Sequence, residues 1–118
     1  MRVMWLRVAA VSGAIGVVLG AFGAHGLKER VDAAQLAVWH TAVTYHLFHS
    51  VVLLALGLFA SATNRPLGIS PWLFAAGIAL FSGSLYLIVL APMRWLGPVT
   101  PLGGLLLIAG WASLLRLA

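Results

Sequence analysis

Four stretches of this chain carry no charged side chain over roughly the length needed to cross a lipid bilayer, and nothing else in the sequence limits the fold as strongly. They cover about residues 8–24, 41–62, 72–91 and 102–115. A hydrocarbon core of roughly 30 Å calls for about 20 mostly apolar residues per helix. A strand crossing alone would leave its backbone N–H and C=O groups unpaired in lipid, so the spans are expected to be helices. Together they use up most of the 118 residues. The expected architecture is therefore all-α, a four-helix transmembrane bundle forming a single integral membrane domain over 1–118.

Composition excludes the main alternatives. Hydrophobic residues make up 63% of the chain and charged residues 8%, against about 25% charged in an ordinary soluble domain. The seven Lys and Arg stand singly between apolar runs instead of forming the basic face of a nucleic-acid module, so no nucleic-acid partner is expected. The chain has no cysteine, which removes disulfides, thiolate metal sites and cysteine nucleophiles. The first apolar run is longer than the core of a typical signal peptide, and it reads as a retained helix.

The punctuation between spans has mechanical meaning. Gly23 and Gly26 are placed to close the first helix in a left-handed conformation. Asp32 and Gln35 have the spacing of a capping box, which starts the second helix near Ala33. Ser70-Pro71 and Thr100-Pro101 share one pattern, a hydroxyl N-cap followed by proline at the first helical position. They mark the starts of helices three and four. Asn64-Arg65-Pro66 reads as a turn, and residues 92–98 as an interfacial loop carrying Arg94 and Trp95.

An even number of spans puts both termini on one side, together with Arg2, Arg7, Arg65 and Arg116; Lys28, Arg30 and Arg94 lie on the other. Counting Lys and Arg alone favours an N-in, C-in orientation. In lipid, helices associate through close packing of small residues. Gly13, Gly16, Gly20 and Gly23 recur every three or four residues along the first helix. Ala79 and Gly83, beside Ala75, serve the third, and Gly103 and Gly110 the fourth. All are expected at helix contacts.

Ionisable residues within a membrane are functional candidates by default. Here they are histidines. His46 and His49 lie three apart on the second helix and share a face, with Tyr45 neighbouring His49. At 1.5 Å per residue they sit roughly 8 and 12 Å inside the apolar stretch. His40 lies closer to the interface, and His25 follows the first helix. If these converge with Ser82, Ser84 and Tyr86 of the third helix, the bundle holds one polar cluster. Three readings follow: structural hydrogen bonds between helices, a proton or solute pathway, or a metal or haem site. No carboxylate or thiol in the spans would complete a metal shell, and Glu29 and Asp32 lie in a loop. Neither metal nor cofactor is therefore expected. A nucleophile with a base and an orienting acid is also missing, so no catalytic residue is assigned and the chain reads as a non-enzyme.

Four motifs carry a resemblance: Gly-Ala-Phe-Gly-Ala-His-Gly-Leu-Lys at 20–28, Trp-His-Thr-Ala-Val-Thr-Tyr-His-Leu-Phe-His at 39–49, Phe-Ser-Gly-Ser-Leu-Tyr at 81–86, and Thr-Pro-Leu-Gly-Gly at 100–104 with Gly110-Trp111. In this order they span essentially the whole chain, which resembles the YgdD-like family of small inner-membrane proteins, domain of unknown function 423. The resemblance implies a four-helix protein of the bacterial cytoplasmic membrane type and carries no reaction with it. The functional expectation is a small membrane protein acting as accessory or assembly partner of a larger membrane complex, or as a homo-oligomer, in contact with the lipid bilayer. The alternatives are an oligomeric transporter or channel lined by His46, His49 and Tyr45, and a metal- or haem-binding membrane protein.

Overall fold

A computed structural model describes residues 2–91 and 93–118. Its four long helices are α1 (Arg2–Ala24), α2 (Ala33–Thr63), α3 (Ser70–Leu90) and α4 (Val99–Ser113). Short 3₁₀ turns follow at Leu27–Glu29, Arg94–Leu96 and Leu114–Leu117. Each helical region is long and apolar enough to cross a membrane. The helices extend past the uncharged windows because charged residues at their ends can reach the headgroups without breaking the backbone ladder. With 31 residues, α2 is the longest, about 46 Å at 1.5 Å per residue. It therefore tilts or projects from a core of roughly 30 Å.

The expected capping box is present in both directions. The Gln35 N–H donates to Asp32 Oδ1 at 2.8 Å, and the Asp32 N–H donates to Gln35 Oε1 at 3.1 Å. The turn at Asn64 is also present, as a left-handed cap: Asn64 has φ 56° and its N–H donates to Ala60 O.

Two local expectations are corrected. Gly26 is right-handed, at φ −72°, and α1 passes directly into the following 3₁₀ turn, with the His25 N–H bonding back to Ala21 O. Right-handed turns already satisfy the last carbonyls, so no left-handed glycine is needed there. Ser70 and Thr100 lie inside their helices, behind Ile69 and Pro98 at the cap positions, and neither side chain caps. Their hydroxyls reach neighbouring helices instead, as described below. The 92–98 loop contains the 3₁₀ turn at Arg94, with Trp95 exposed; Pro92 lies outside the described residues.

Each helix packs chiefly on its neighbour in sequence, α1 on α2, α2 on α3 and α3 on α4. The central pair, α2 and α3, is thereby the more buried, and α1 and α4 flank it. One apolar cluster draws on all four helices, including Trp5, Leu53, Phe74, Ile78 and Leu107. A second, nearer the other end, gathers Leu27, Trp39, Ala42, Tyr86 and Val89. Large apolar side chains such as Val17, Val18, Leu105 and Ile108 stay on the outside, where lipid tails solvate them at no hydrophobic cost.

Candidate functional site

The two buried histidines of the spans centre two separate constellations, and both use α2. The first is centred on His46, which is 6% exposed. His46 Nδ1 lies 2.9 Å from the Tyr86 hydroxyl on α3, and Nε2 lies 3.2 Å from Ser12 Oγ on α1. Ser12 Oγ is in turn 2.6 Å from Ser50 Oγ, which donates to the His46 carbonyl at 2.7 Å. Donor accounting fixes the direction of the whole chain. The single Ser50 proton goes to a carbonyl, so Ser12 must donate to Ser50. Ser12 is then left to accept from His46 Nε2–H, and Nδ1 accepts from Tyr86. The network closes with a neutral imidazole, and it ties α1, α2 and α3 together at one level.

The second constellation is centred on His49, 5% exposed. Its Nδ1 lies 2.8 Å from the Tyr45 carbonyl, and the Trp111 indole N–H on α4 donates to its Nε2 at 3.1 Å. A carbonyl only accepts and an indole N–H only donates, so His49 is neutral with its proton on Nδ1. The two histidines thus hold opposite tautomers. Phe74 packs against both His49 and Trp111, with ring centroids 5.9 and 5.7 Å away.

Three hydroxyl pairs between helices follow one rule. Ser50, Ser84 and Ser113 each donate to a carbonyl of their own helix, those of His46, Phe81 and Gly110. Each then has lone pairs free to accept from a hydroxyl on a neighbouring helix: Ser12, Thr100 and Ser70, respectively. Ser82 adds a fourth crossing, donating from α3 to Ala42 O on α2 at 2.8 Å. Among the described residues no buried side-chain nitrogen or oxygen lacks a partner, as a lipid-embedded interior requires.

The structure therefore brings His46 to Tyr86, and separates both from His49. Ser82 and Ser84 serve other crossings. His25 and His40 are exposed and outside both networks. Tyr45 is 43% exposed and lines an open groove of about 620 Å³ with Phe48, His49, Phe81 and Trp111. Sequence reasoning missed Ser12 and Ser50, since a lone serine in an apolar helix gives no signal of its partner. It also gave Trp111 no role, because the Gly110-Trp111 motif does not show which helix the indole faces.

The small residues divide in the same way. A Cβ on Gly16 would lie 2.6 Å from Leu47, and one on Gly23 would lie 2.5 Å from Trp39. Gly20 faces Val43 at 3.2 Å, and Gly110 faces the Phe74 ring at 2.9 Å. Gly103 lies against the backbone of Leu80 and Phe81. Gly13 and Gly83 meet nothing within 4 Å, and Ala79 is exposed; within a single copy these three do not support close helix contacts. Gly57 against Leu6 and Gly77 against Leu107 do, although the stripe pattern did not single them out.

Residues 19–104 match the model of a family described as a protein of unknown function, DUF423. The chain belongs to this family. The matched stretch contains His46, His49 and Tyr86, while Ser12 and Trp111 lie beyond it. The chain is 40% identical over 112 residues to a UPF0382 membrane protein of Staphylococcus aureus, covering 95% of this chain and 92% of the relative. It is 43% identical over 115 residues to the UPF0382 membrane protein YwdK of Bacillus subtilis, covering 92% and 89%. A UPF0382 membrane protein of Schizosaccharomyces pombe is 44% identical over 118 residues, covering 92% and 96%. No solved structure matches. The resemblance read from the motifs and these matches agree, and the chain is an integral membrane protein of a family without assigned function.

Proposed function

We propose that the protein is a non-enzymatic accessory or assembly partner of a larger complex in the membrane. The observation that carries this reading is the closure of both histidine networks: every ring nitrogen of His46 and His49 has a hydrogen-bond partner, and three of the four partners lie on a neighbouring helix. A metal ligand needs a nitrogen lone pair that no hydrogen bond already uses, and among the described residues no three His, Asp or Glu side chains gather to hold a metal ion. The reading is further supported by Gly13 and Gly83, small residues on the bundle that fill no contact within one copy. We place the protein in the cytoplasmic membrane, where the excess of arginines beside the termini supports an orientation with both ends inside; reporter fusions at each terminus would test the orientation.

Purification in mild detergent, without a metal-affinity step, followed by mass spectrometry of what accompanies the protein, tests the proposal. One larger membrane assembly retained in fixed proportion, and lost when Gly13 and Gly83 are replaced by leucine, is the expected outcome. A protein that remains a single free bundle in its native membrane would overturn it. The transport alternative draws on the groove beside Tyr45 and His49. Rapid hydrogen exchange of the His49 ring in the bilayer would favour that reading.

A further inference from the structure

The charged residues of this chain are distributed unequally between the two ends of the bundle. The end formed by the termini and the α2–α3 turn carries Arg2, Arg7, Arg65 and Arg116 with no acid; the opposite end carries Lys28, Arg30 and Arg94 together with both acids, Glu29 and Asp32. At the acid-free end, the fold brings two arginines from distant parts of the sequence to one place. Arg65 and Arg116 line a recess of about 260 Å³ whose floor is the turn through Pro66, Leu67 and Gly68.

Both side chains are held there by identifiable contacts. Arg65 Nη1 donates to the Leu117 carbonyl at 2.8 Å, and the guanidinium stands 5.6 Å from the centroid of the Phe59 ring. The Arg116 guanidinium rests on Gly68, which has φ +63°. A Cβ at position 68 would meet Arg116 Nη2 at 3.1 Å and Nη1 at 3.3 Å. The left-handed turn thus calls for glycine twice, once for its backbone angle and once to let the cation settle. Among the described residues Arg116 donates no hydrogen bond. A guanidinium offers five N–H donors and cannot lose its charge, so the recess gathers two cations and a set of unspent donors, with the acidic side chains Glu29 and Asp32 at the opposite end of the bundle. Like charges placed together in this way are complementary to an anion with several oxygens. Arg65 follows the last turn of α2, so the pair stands at the end of a spanning helix, where headgroups are expected. A second recess of about 370 Å³ adjoins Arg65 and is lined by Trp5, Ala60 and Leu67 on its apolar side and by Asn64 and Arg65 on its polar side.

We propose that Arg65 and Arg116 form a seat for a phosphate group, carried either by the headgroup of an anionic membrane lipid or by free phosphate. The apolar side of the recess beside Arg65, at Trp5, Ala60 and Leu67, gives the start of an acyl chain a place to lie, and the two guanidiniums bind the phosphate oxygens. A general attraction of basic ends to anionic membranes would involve all four arginines equally; the seat assigns the binding to two.

The full chain in detergent micelles, presented with phosphatidylglycerol, phosphatidylcholine or inorganic phosphate and followed by native mass spectrometry, tests this. Phosphatidylglycerol should be retained in preference to phosphatidylcholine. Arg116→Gln should weaken that retention about tenfold, as for loss of a charge-assisted hydrogen bond. An Arg30→Gln/Arg94→Gln variant at the opposite end should keep it. If inorganic phosphate binds with the same dependence on Arg116 and the lipid does not, the seat stands and its ligand is soluble. Equal retention by the Arg116→Gln variant, equal loss in the opposite-end variant, or no binding of any of the three overturns the proposal. Should Arg116→Gln fail to fold, chemical modification of the native protein by phenylglyoxal decides the same question. Phosphatidylglycerol or phosphate should protect Arg65 and Arg116 while leaving Arg30 and Arg94 reactive, and uniform reactivity rejects the seat.

Discussion

Trp111 on α4 donates its indole N–H to His49 Nε2 on α2 at 3.1 Å, joining two helices that are not neighbours in sequence. Replacing Trp111 by phenylalanine keeps most of the ring and removes the donor, leaving an imidazole lone pair without a partner. The expected cost is about 1 kcal/mol, within the range measured for hydrogen bonds between membrane helices. His49→Phe strands the indole N–H in the same way. A His49→Phe/Trp111→Phe double variant is therefore expected to be no less stable than the worse single variant in reversible unfolding from micelles. Strictly additive losses would show that the pair does not interact.

The two histidines should be distinguishable by the nitrogen that bears the proton. Nitrogen-15 spectra of the labelled protein at neutral pH are expected to show His46 protonated on Nε2 and His49 on Nδ1. The first follows from the sequence of donors ending at the His46 carbonyl, the second from the Tyr45 carbonyl facing Nδ1. Removing Tyr86 as a donor by Tyr86→Phe leaves His46 Nδ1 without a proton to accept, and its resonance should move while that of His49 stays in place. Identical tautomers at the two positions would contradict the donor accounting.

The fold was legible in the sequence because lipid admits few solutions. Uncharged runs of sufficient length have to be helices, and the Asp32–Gln35 spacing stated where α2 begins. The site was only partly legible. That His46 and His49 would meet polar groups followed from their depth. Which groups depended on rotation and tilt of the helices, which the period of an almost wholly apolar helix does not encode. The spacing that puts His46 and His49 on one face still lets one ring point to α1 and α3 and the other to α4. Ser70 and Thr100 depart from expectation for a related reason. A hydroxyl before proline looks the same in sequence whether it caps its own helix or crosses to the next.

Glycines in contact and glycines in open space should respond differently to the same substitution. Gly16→Leu and Gly23→Leu drive a side chain into Leu47 and Trp39, and overpacking of this kind costs about 1–3 kcal/mol. Gly103→Leu should be worse, because the obstruction is the backbone of Leu80 and Phe81 and no rotamer can relieve it. Gly13→Leu and Gly83→Leu enter open space and should leave the thermal unfolding of the isolated bundle within about 0.5 kcal/mol of the parent. Similar losses at all five positions would mean that the stripe acts through something other than these contacts.

Caps and crossings differ in where their loss is felt. Asp32→Ala removes the acceptor for the Gln35 N–H and should cost about 1 kcal/mol. The effect should be local, as faster amide hydrogen exchange through the first turn of α2. Ser70→Ala removes no cap, since Ser70 lies within α3 and its hydroxyl meets Ser113 on α4 at 2.6 Å. Exchange at Trp72 and Leu73 should stay unchanged, and the loss should show as a lower unfolding temperature as α3 and α4 loosen from each other. Thr100→Val should behave like Ser70→Ala, because the Thr100 hydroxyl crosses to Ser84. If either hydroxyl variant instead accelerates exchange in the first turn of its own helix, that hydroxyl caps after all, and the crossing is secondary.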